Sequence, residues 1–197
     1  MFAAESKNCL KMKNLFSVAF LFAIFFSVKS YSQSGDYGVT AGYNNFILSA
    51  SVDQIPGSGS DGSSGYYVGV YGDFDLGDKF SIQPELQFGQ VFNNGETGEM
   101  LLLPVMFKYY LVDRFNIQAG PVLDLILGNE EEEINDFGLG FGFGGAFDIN
   151  EELSLTTRYS VGITNRTPDL TASTVLGGTF DINSRFDFFQ VGLSYKF

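Results

Sequence analysis

No histidine and no tryptophan occur in the 197 residues, and the one cysteine is Cys9. Hydrolases that activate serine or water commonly use a histidine base, so membrane-embedded lipase or protease chemistry of that kind is closed to this chain. A lone cysteine cannot form an internal disulfide. Cys9 also lacks a lipobox-like Leu-x-Gly/Ala context, which argues against a lipoprotein anchor. Charge is scarce as well. Charged residues make up 17%, against roughly 25% in ordinary soluble proteins. Basic residues are the rarer kind, 11 against 23 acidic, for a net charge of −12. Phosphate recognition needs clustered lysine and arginine. The sequence has no such cluster, so a nucleic-acid partner is not expected.

Long apolar runs are absent except near the start. Lys11 and Lys13 precede an apolar stretch from Leu15 to Val28, followed by Ser30 and Ser32 at positions −3 and −1 of a cut before Gln33. This basic, apolar, small-residue order is that of a secretory signal peptide. The stretch is shorter than the roughly 20 apolar residues of a transmembrane helix. The expected division is a signal peptide over 1–32 and a mature domain over 33–197. Met12 makes a more regular start than Met1, since Met12-Lys13-Asn14 opens a signal of ordinary form. Losing residues 1–32 removes four lysines and one glutamate and moves the net charge to −15.

The chain is rich in glycine (24), phenylalanine (22) and tyrosine (10), a mix that suits strands and a lipid-facing surface with aromatic girdles. Downstream of Gln33 the polarity repeats every second residue, the period of a strand. In the third candidate strand, Lys79 to Val91, Phe80, Ile82, Pro84, Leu86 and Phe88 oppose Ser81, Gln83, Glu85, Gln87 and Gly89. In the sixth, Phe137, Leu139, Phe141, Phe143 and Phe147 alternate with Gly138, Gly140, Gly142, Gly144 and Ala146. The remaining six segments run over Tyr37–Asn44, Tyr66–Asp73, Met100–Tyr110, Phe115–Leu125, Ser154–Ile163 and Phe189–Phe197. Short connectors near Asp75–Asp78, Leu111–Arg114 and Asn150–Glu152 alternate with longer ones at Asn45–Ser64, Asn93–Glu99, Gly128–Asp136 and Asn165–Ser184. Short turns on one side and longer loops on the other are the asymmetry of outer-membrane barrels. The expectation is all-β: an eight-stranded antiparallel up-and-down transmembrane β-barrel after a signal peptide, with outer-membrane lipid as its surroundings. Closing strand one on strand eight removes every edge, which hydrocarbon requires.

A soluble eight-stranded barrel also alternates, but keeps its apolar face inside. The phenylalanines here would overfill a lumen barely wide enough for side chains. They are therefore assigned outward, and Glu85, Lys108, Asp124 and Arg158 inward. Interior charges must pair or reach water. If the loop near Glu96 centres its hairpin, Glu85 falls close to opposite Lys108, and Arg158 has Asp124 or Glu85 within reach. The set is read as a packed polar plug in preference to an ion path or proton relay. The glycines of the sixth strand are expected to make room for Tyr67 and Tyr71. The Gly/Ser-rich stretch at Asn45–Ser64 is expected to be mobile.

Three motifs carry little. Gly140 to Gly145 matches G-x-G-x-x-G, but a dinucleotide site needs that turn to open a helix, and here it lies inside a strand pattern, so no cofactor is expected. Asn165-Arg166-Thr167 fits a glycosylation sequon, uninformative in a bacterial setting. Glu130–Glu133 with Asp136 lack ligand spacing for a metal and read as a solvated loop tip.

The mature chain resembles the PorT-like outer membrane protein β-barrel group, with a general similarity to OmpX-type barrels. The matching stretches are YGVTAGYN at Tyr37–Asn44, LGDKFSIQPELQFGQ at Leu76–Gln90, LPVMFKYY at Leu103–Tyr110, FNIQAGP at Phe115–Pro121 and RYSVGITN at Arg158–Asn165. The closing residues Leu193, Tyr195 and Phe197 share one face and resemble the terminal signal read by the barrel-assembly machinery. The resemblance implies outer-membrane insertion of a Gram-negative-type envelope protein without catalytic residues. Three roles follow as expectations: a non-enzymatic structural or interaction barrel acting through its external loops, a PorT-like component of a secretion apparatus, or a small channel.

Overall fold

The computed structural model describes residues 35–52, 58–93, 95–128, 135–167, 171–173 and 179–197. The segment 1–32 expected to be a signal peptide, the acidic stretch Glu130–Glu133 and residues 53–57 lie outside the described residues.

The alternation becomes nine strands: β1 Gly35–Val52, β2 Ser58–Gly77, β3 Phe80–Asn93, β4 Glu96–Val112, β5 Phe115–Leu127, β6 Phe137–Asp148, β7 Leu153–Gly162, β8 Thr171–Ser173 and β9 Thr179–Lys196. Each of β1 to β6 pairs antiparallel with the next, β7 pairs with β9, and β9 returns to β1. The wall is thus a closed eight-stranded up-and-down barrel. The three-residue β8 pairs with β9 farther out along that strand, Thr171 opposite Asp181, beyond where β7 has left it at Ser160 opposite Phe188. Closure runs from Gly38 opposite Lys196 to Val52 opposite Ile182. Phe197 N–H donates to Tyr37 O at 2.9 Å and completes the seam.

The expected short turns all lie at the end that carries Gly35 and Phe197. They are Asp78–Lys79, Asp113–Arg114 and residues 149–152. In the last, Asn150 Oδ1 accepts from Glu152 N at 2.9 Å and Leu153 N at 2.6 Å, a local turn that asparagine favours. Bulges at Asp75/Gly77 and Tyr110/Val112 end the pairing at this rim.

At the opposite end two expected loops are strand instead. Asn45–Ser64 continues the β1–β2 ladder from Asn45 opposite Ser64 to Ser51 opposite Ser58. Asn93–Glu99 collapses to a tight turn, with Asn93 paired to Glu96 and Gly95 at φ +90, a conformation glycine reaches without strain. Asn165–Ser184 holds β8 and the outer part of β9. The physical reason is common to these segments. Ladder hydrogen bonds use backbone alone, so a hairpin begun inside the barrel propagates into Gly/Ser-rich sequence whose side chains predict a loop.

The faces follow the alternation. Val68, Val70, Phe107, Ile117, Phe141, Phe143 and Leu193 are exposed, whereas Thr40, Gln87, Asn116, Gln118 and Ser160 are buried. At roughly 3.3 Å per residue, Phe115 to Leu125 extends about 33 Å along β5, or about 25 Å along the barrel axis at a tilt of about 40°. That matches the apolar band of an outer-membrane barrel. Aromatic pairs rim it at the turn end: Tyr37–Phe74 with centroids 6.0 Å apart, Phe80–Tyr109 at 4.9 Å and Tyr195–Phe197 at 5.9 Å. At the other border outward polar groups bond one another. Tyr66 OH donates to Gln90 Oε1 at 2.6 Å, and Gln90 Nε2 to Glu99 Oε1 at 3.1 Å.

Phe186 and Phe188 break the assignment of phenylalanines to the outside. Both point inward and pack with Val91, Met100, Leu102 and Val122, with Phe46, Leu48 and Ile126 against them. The Phe46 ring lies 4.6 Å from Phe186 and 5.7 Å from Phe188. Gly162 lets the Phe186 backbone come close, because a Cβ there would collide with it.

Candidate functional site

The lumen is layered. At the turn end it opens as a cavity of about 470 Å³. The middle is a polar network, and the far end is the apolar layer of Phe186 and its neighbours.

Glu85 and Arg158 form the centre of the network. Arg158 Nη2 donates to Glu85 Oε1 at 2.5 Å and Nη1 to Oε2 at 3.2 Å. Both side chains are only 2–3% exposed. This is the two-pronged arginine–carboxylate geometry that fixes orientation as well as charge. The remaining lone pairs of Glu85 are filled by Gln83 Nε2 at 2.8 Å and by Gln87 Nε2. Gln190 Nε2 donates to Gln87 Oε1 at 2.9 Å, and Arg158 Nη2 also reaches Gln118 Oε1 at 3.4 Å. Strands β3, β5, β7 and β9 are thereby tied across the lumen.

Lys108 and Asp124 have other partners than expected. Lys108 stands opposite Ser81 on β3 and donates to Asp73 Oδ2 at 2.7 Å. It does not face Glu85, because the β3–β4 turn is centred between Asn93 and Glu96 and not beyond Glu96. Asp124 pairs with Arg166, not with Arg158. Arg166 Nη1 also donates to Asn135 O at 2.9 Å, and its guanidinium lies 4.5 Å from the Phe186 ring centroid.

Arg166 is the luminal residue that sequence reasoning missed. It follows β7 in irregular backbone, where periodicity gives no face. A hint lay in β6. A Cβ on Gly138 would run into the Arg166 guanidinium, and one on Gly142 would meet Ser160 Oγ at 3.0 Å and Arg158 Cδ at 3.5 Å. Gly138 therefore makes room for Arg166, and Gly142 for Ser160 and Val122, not for Tyr67 and Tyr71 as expected. Tyr67 sits against Gly192, and Tyr71 against Gly38.

Leu193 and Tyr195 lie outward on β9, opposite Ala41 and Val39, and Phe197 is 78% exposed, the most of any large apolar side chain among the described residues.

A closed antiparallel wall, oily and aromatic-rimmed outside and charged within, is the build of a bacterial outer-membrane protein. Residues 17–197 match the model of the family described as "Outer membrane protein beta-barrel domain". The chain belongs to that family, and its place is the outer membrane. Among solved structures, it is similar to Neisserial surface protein A, NspA, at 13% identity, with 82% of this chain and 97% of that one covered and a TM-score of 0.48. Ail, the attachment invasion locus protein of Yersinia pestis, follows at 12% identity, 83% and 99% coverage and a TM-score of 0.46. The outer membrane protein OprG from Pseudomonas aeruginosa stands at 13%, 84% and 97%, and 0.47. A search of curated proteins finds no match.

Proposed function

We propose that this protein is a non-enzymatic outer-membrane barrel that acts through the parts of its wall lying beyond the bilayer, with a lumen that does not conduct. The observation that carries this reading is the double closure of the lumen. The enclosed Arg158–Glu85 fork lies across its middle, and the layer of Phe186, Phe188, Leu102 and Val122 lies beyond it. Glu85, Lys108, Asp124 and Arg158 then serve as structural ties between strands.

Support for an interaction role comes from the first hairpin. Its ladder continues seven residues past Asn44 on β1, to Ser51, outside the polar border at Tyr66, Gln90 and Glu99. Stiff backbone projecting from the membrane presents its flank to a partner at lower ordering cost than a free loop. The outward row Leu193, Tyr195 and Phe197 serves recognition by the barrel-assembly machinery. The reading as a PorT-like secretion component rests on sequence resemblance alone.

Planar-bilayer recording of the purified protein tests the central claim. The expected trace is flat. Steady single-channel steps that vanish on replacing Phe186 with a larger or charged side chain would refute it. A strain whose protein has the hairpin beyond Asn45 replaced by a two-residue turn is expected to keep the barrel in the membrane and lose surface binding. Unchanged secretion in a deletion strain separates this role from the secretory one.

A further inference from the structure

We propose that the cavity at the turn end of the barrel binds a small linear polycation carrying several ammonium groups. Its volume, about 470 Å³, falls within the roughly 300–1,000 Å³ of small-molecule sites. Six carboxylates line it, Asp36, Asp73, Asp75, Asp113, Asp148 and Glu151, against three cations, Lys108, Arg114 and Lys196. Two of the cations are already engaged, Lys108 with Asp73 at 2.7 Å and Lys196 with Asp36 at 3.0 Å. Asp75, Asp113, Asp148 and Glu151 then face Arg114 alone, an excess of three negative charges. A concave site with low-dielectric walls focuses such a field and concentrates cations.

An independent observation comes from Tyr71. It lines the cavity at 9% exposure, and its hydroxyl has no hydrogen-bond partner among the described residues. Gly38 lets the ring lie flat against β1, because a Cβ there would collide with the phenol. The phenol opens onto the cavity, where an ammonium supplies a donor to its oxygen or a charge over the ring. The shape of the charge distribution selects the class of cation. Among the described residues no three carboxylates converge closely enough to ligate one metal ion. Carboxylates spread around a cavity suit ammonium groups spaced along a flexible chain.

The test is calorimetric titration of spermidine into the protein purified from outer membranes and held in phospholipid nanodiscs at low salt. Saturable one-to-one binding is expected. The D75N/D113N pair, both exposed rim residues, is expected to weaken it at least tenfold, and Y71F at least threefold. D78N/E152Q removes the same charge from rim positions outside the cavity wall and is expected to stay within twofold. Should the first pair fail to fold, as judged by a heat-shifted gel, the single D75N and D113N variants carry the test with at least threefold losses each. Equal losses in the two pairs, no saturable heat, or equally strong binding of magnesium chloride alone would each overturn the proposal.

Discussion

Replacing Arg158 with methionine isolates the energetics of the plugged lumen. The substitution keeps an unbranched side chain beside Gly142 and Gly144 but removes the guanidinium from a carboxylate that is 2% exposed. Glu85 keeps only the amides of Gln83 and Gln87. Stranding one partner of an enclosed ion pair costs about 3–5 kcal/mol. At about 1.4 kcal/mol per tenfold, the unfolding equilibrium moves by roughly two to three and a half decades. The double variant E85Q/R158M removes both charges and is expected to recover to within about 1–2 kcal/mol of the parent, since replacing a whole buried pair is often close to neutral. The same change at Lys108, whose partner Asp73 is 17% exposed to the open cavity, is expected to cost less, about 1–3 kcal/mol. Urea-driven unfolding in lipid vesicles, followed by tyrosine fluorescence and by gel mobility, measures all of these. An R158M variant within about 1 kcal/mol of the parent, or a double variant as unstable as the R158M and E85Q singles added, would refute the reasoning.

Two further expectations test the wall. Phe141→Arg sits mid-strand on the outward face of β6 and should cost about 2–4 kcal/mol of folding free energy in vesicles, whereas Leu76→Arg at the turn-end rim should cost about 1 kcal/mol or less; equal costs would mean that the lipid face is misassigned. Gly42→Ala should destabilise the barrel by about 1–3 kcal/mol. Its Cβ would meet the Val191 carbonyl and the Gly192 backbone across the closing seam, where no flexible side chain can give way. An unchanged urea midpoint for Gly42→Ala would contradict that packing.

What was legible beforehand divides along a physical line. Face assignment depends only on alternation, so Phe80 against Ser81 or Phe141 against Gly142 was readable without knowing any neighbour. Register depends on the centre of each turn, and an error there is doubled. Placing the β3–β4 turn two residues too late puts Lys108 opposite Glu85, whereas the ladder puts it opposite Ser81. Contacts across the lumen are harder still, because they depend on strand tilt and stagger around the whole wall. That is why Gly138 and Gly142 were matched to tyrosines when they serve Arg166 and the pair Ser160 and Val122. Arg166 lies where the strand pattern stops, and composition cannot say that such a segment turns inward.

The bond from Phe197 N–H to Tyr37 O places the start and finish of the wall side by side. The wall is a ring closed by hydrogen bonds where its first and last strands meet. Joining those ends through a short tether and cutting at Gly95 would yield a circular permutant with the same hydrogen-bonded circumference. Its new termini would emerge on the opposite side of the bilayer, offering attachment points there without disturbing a single rung.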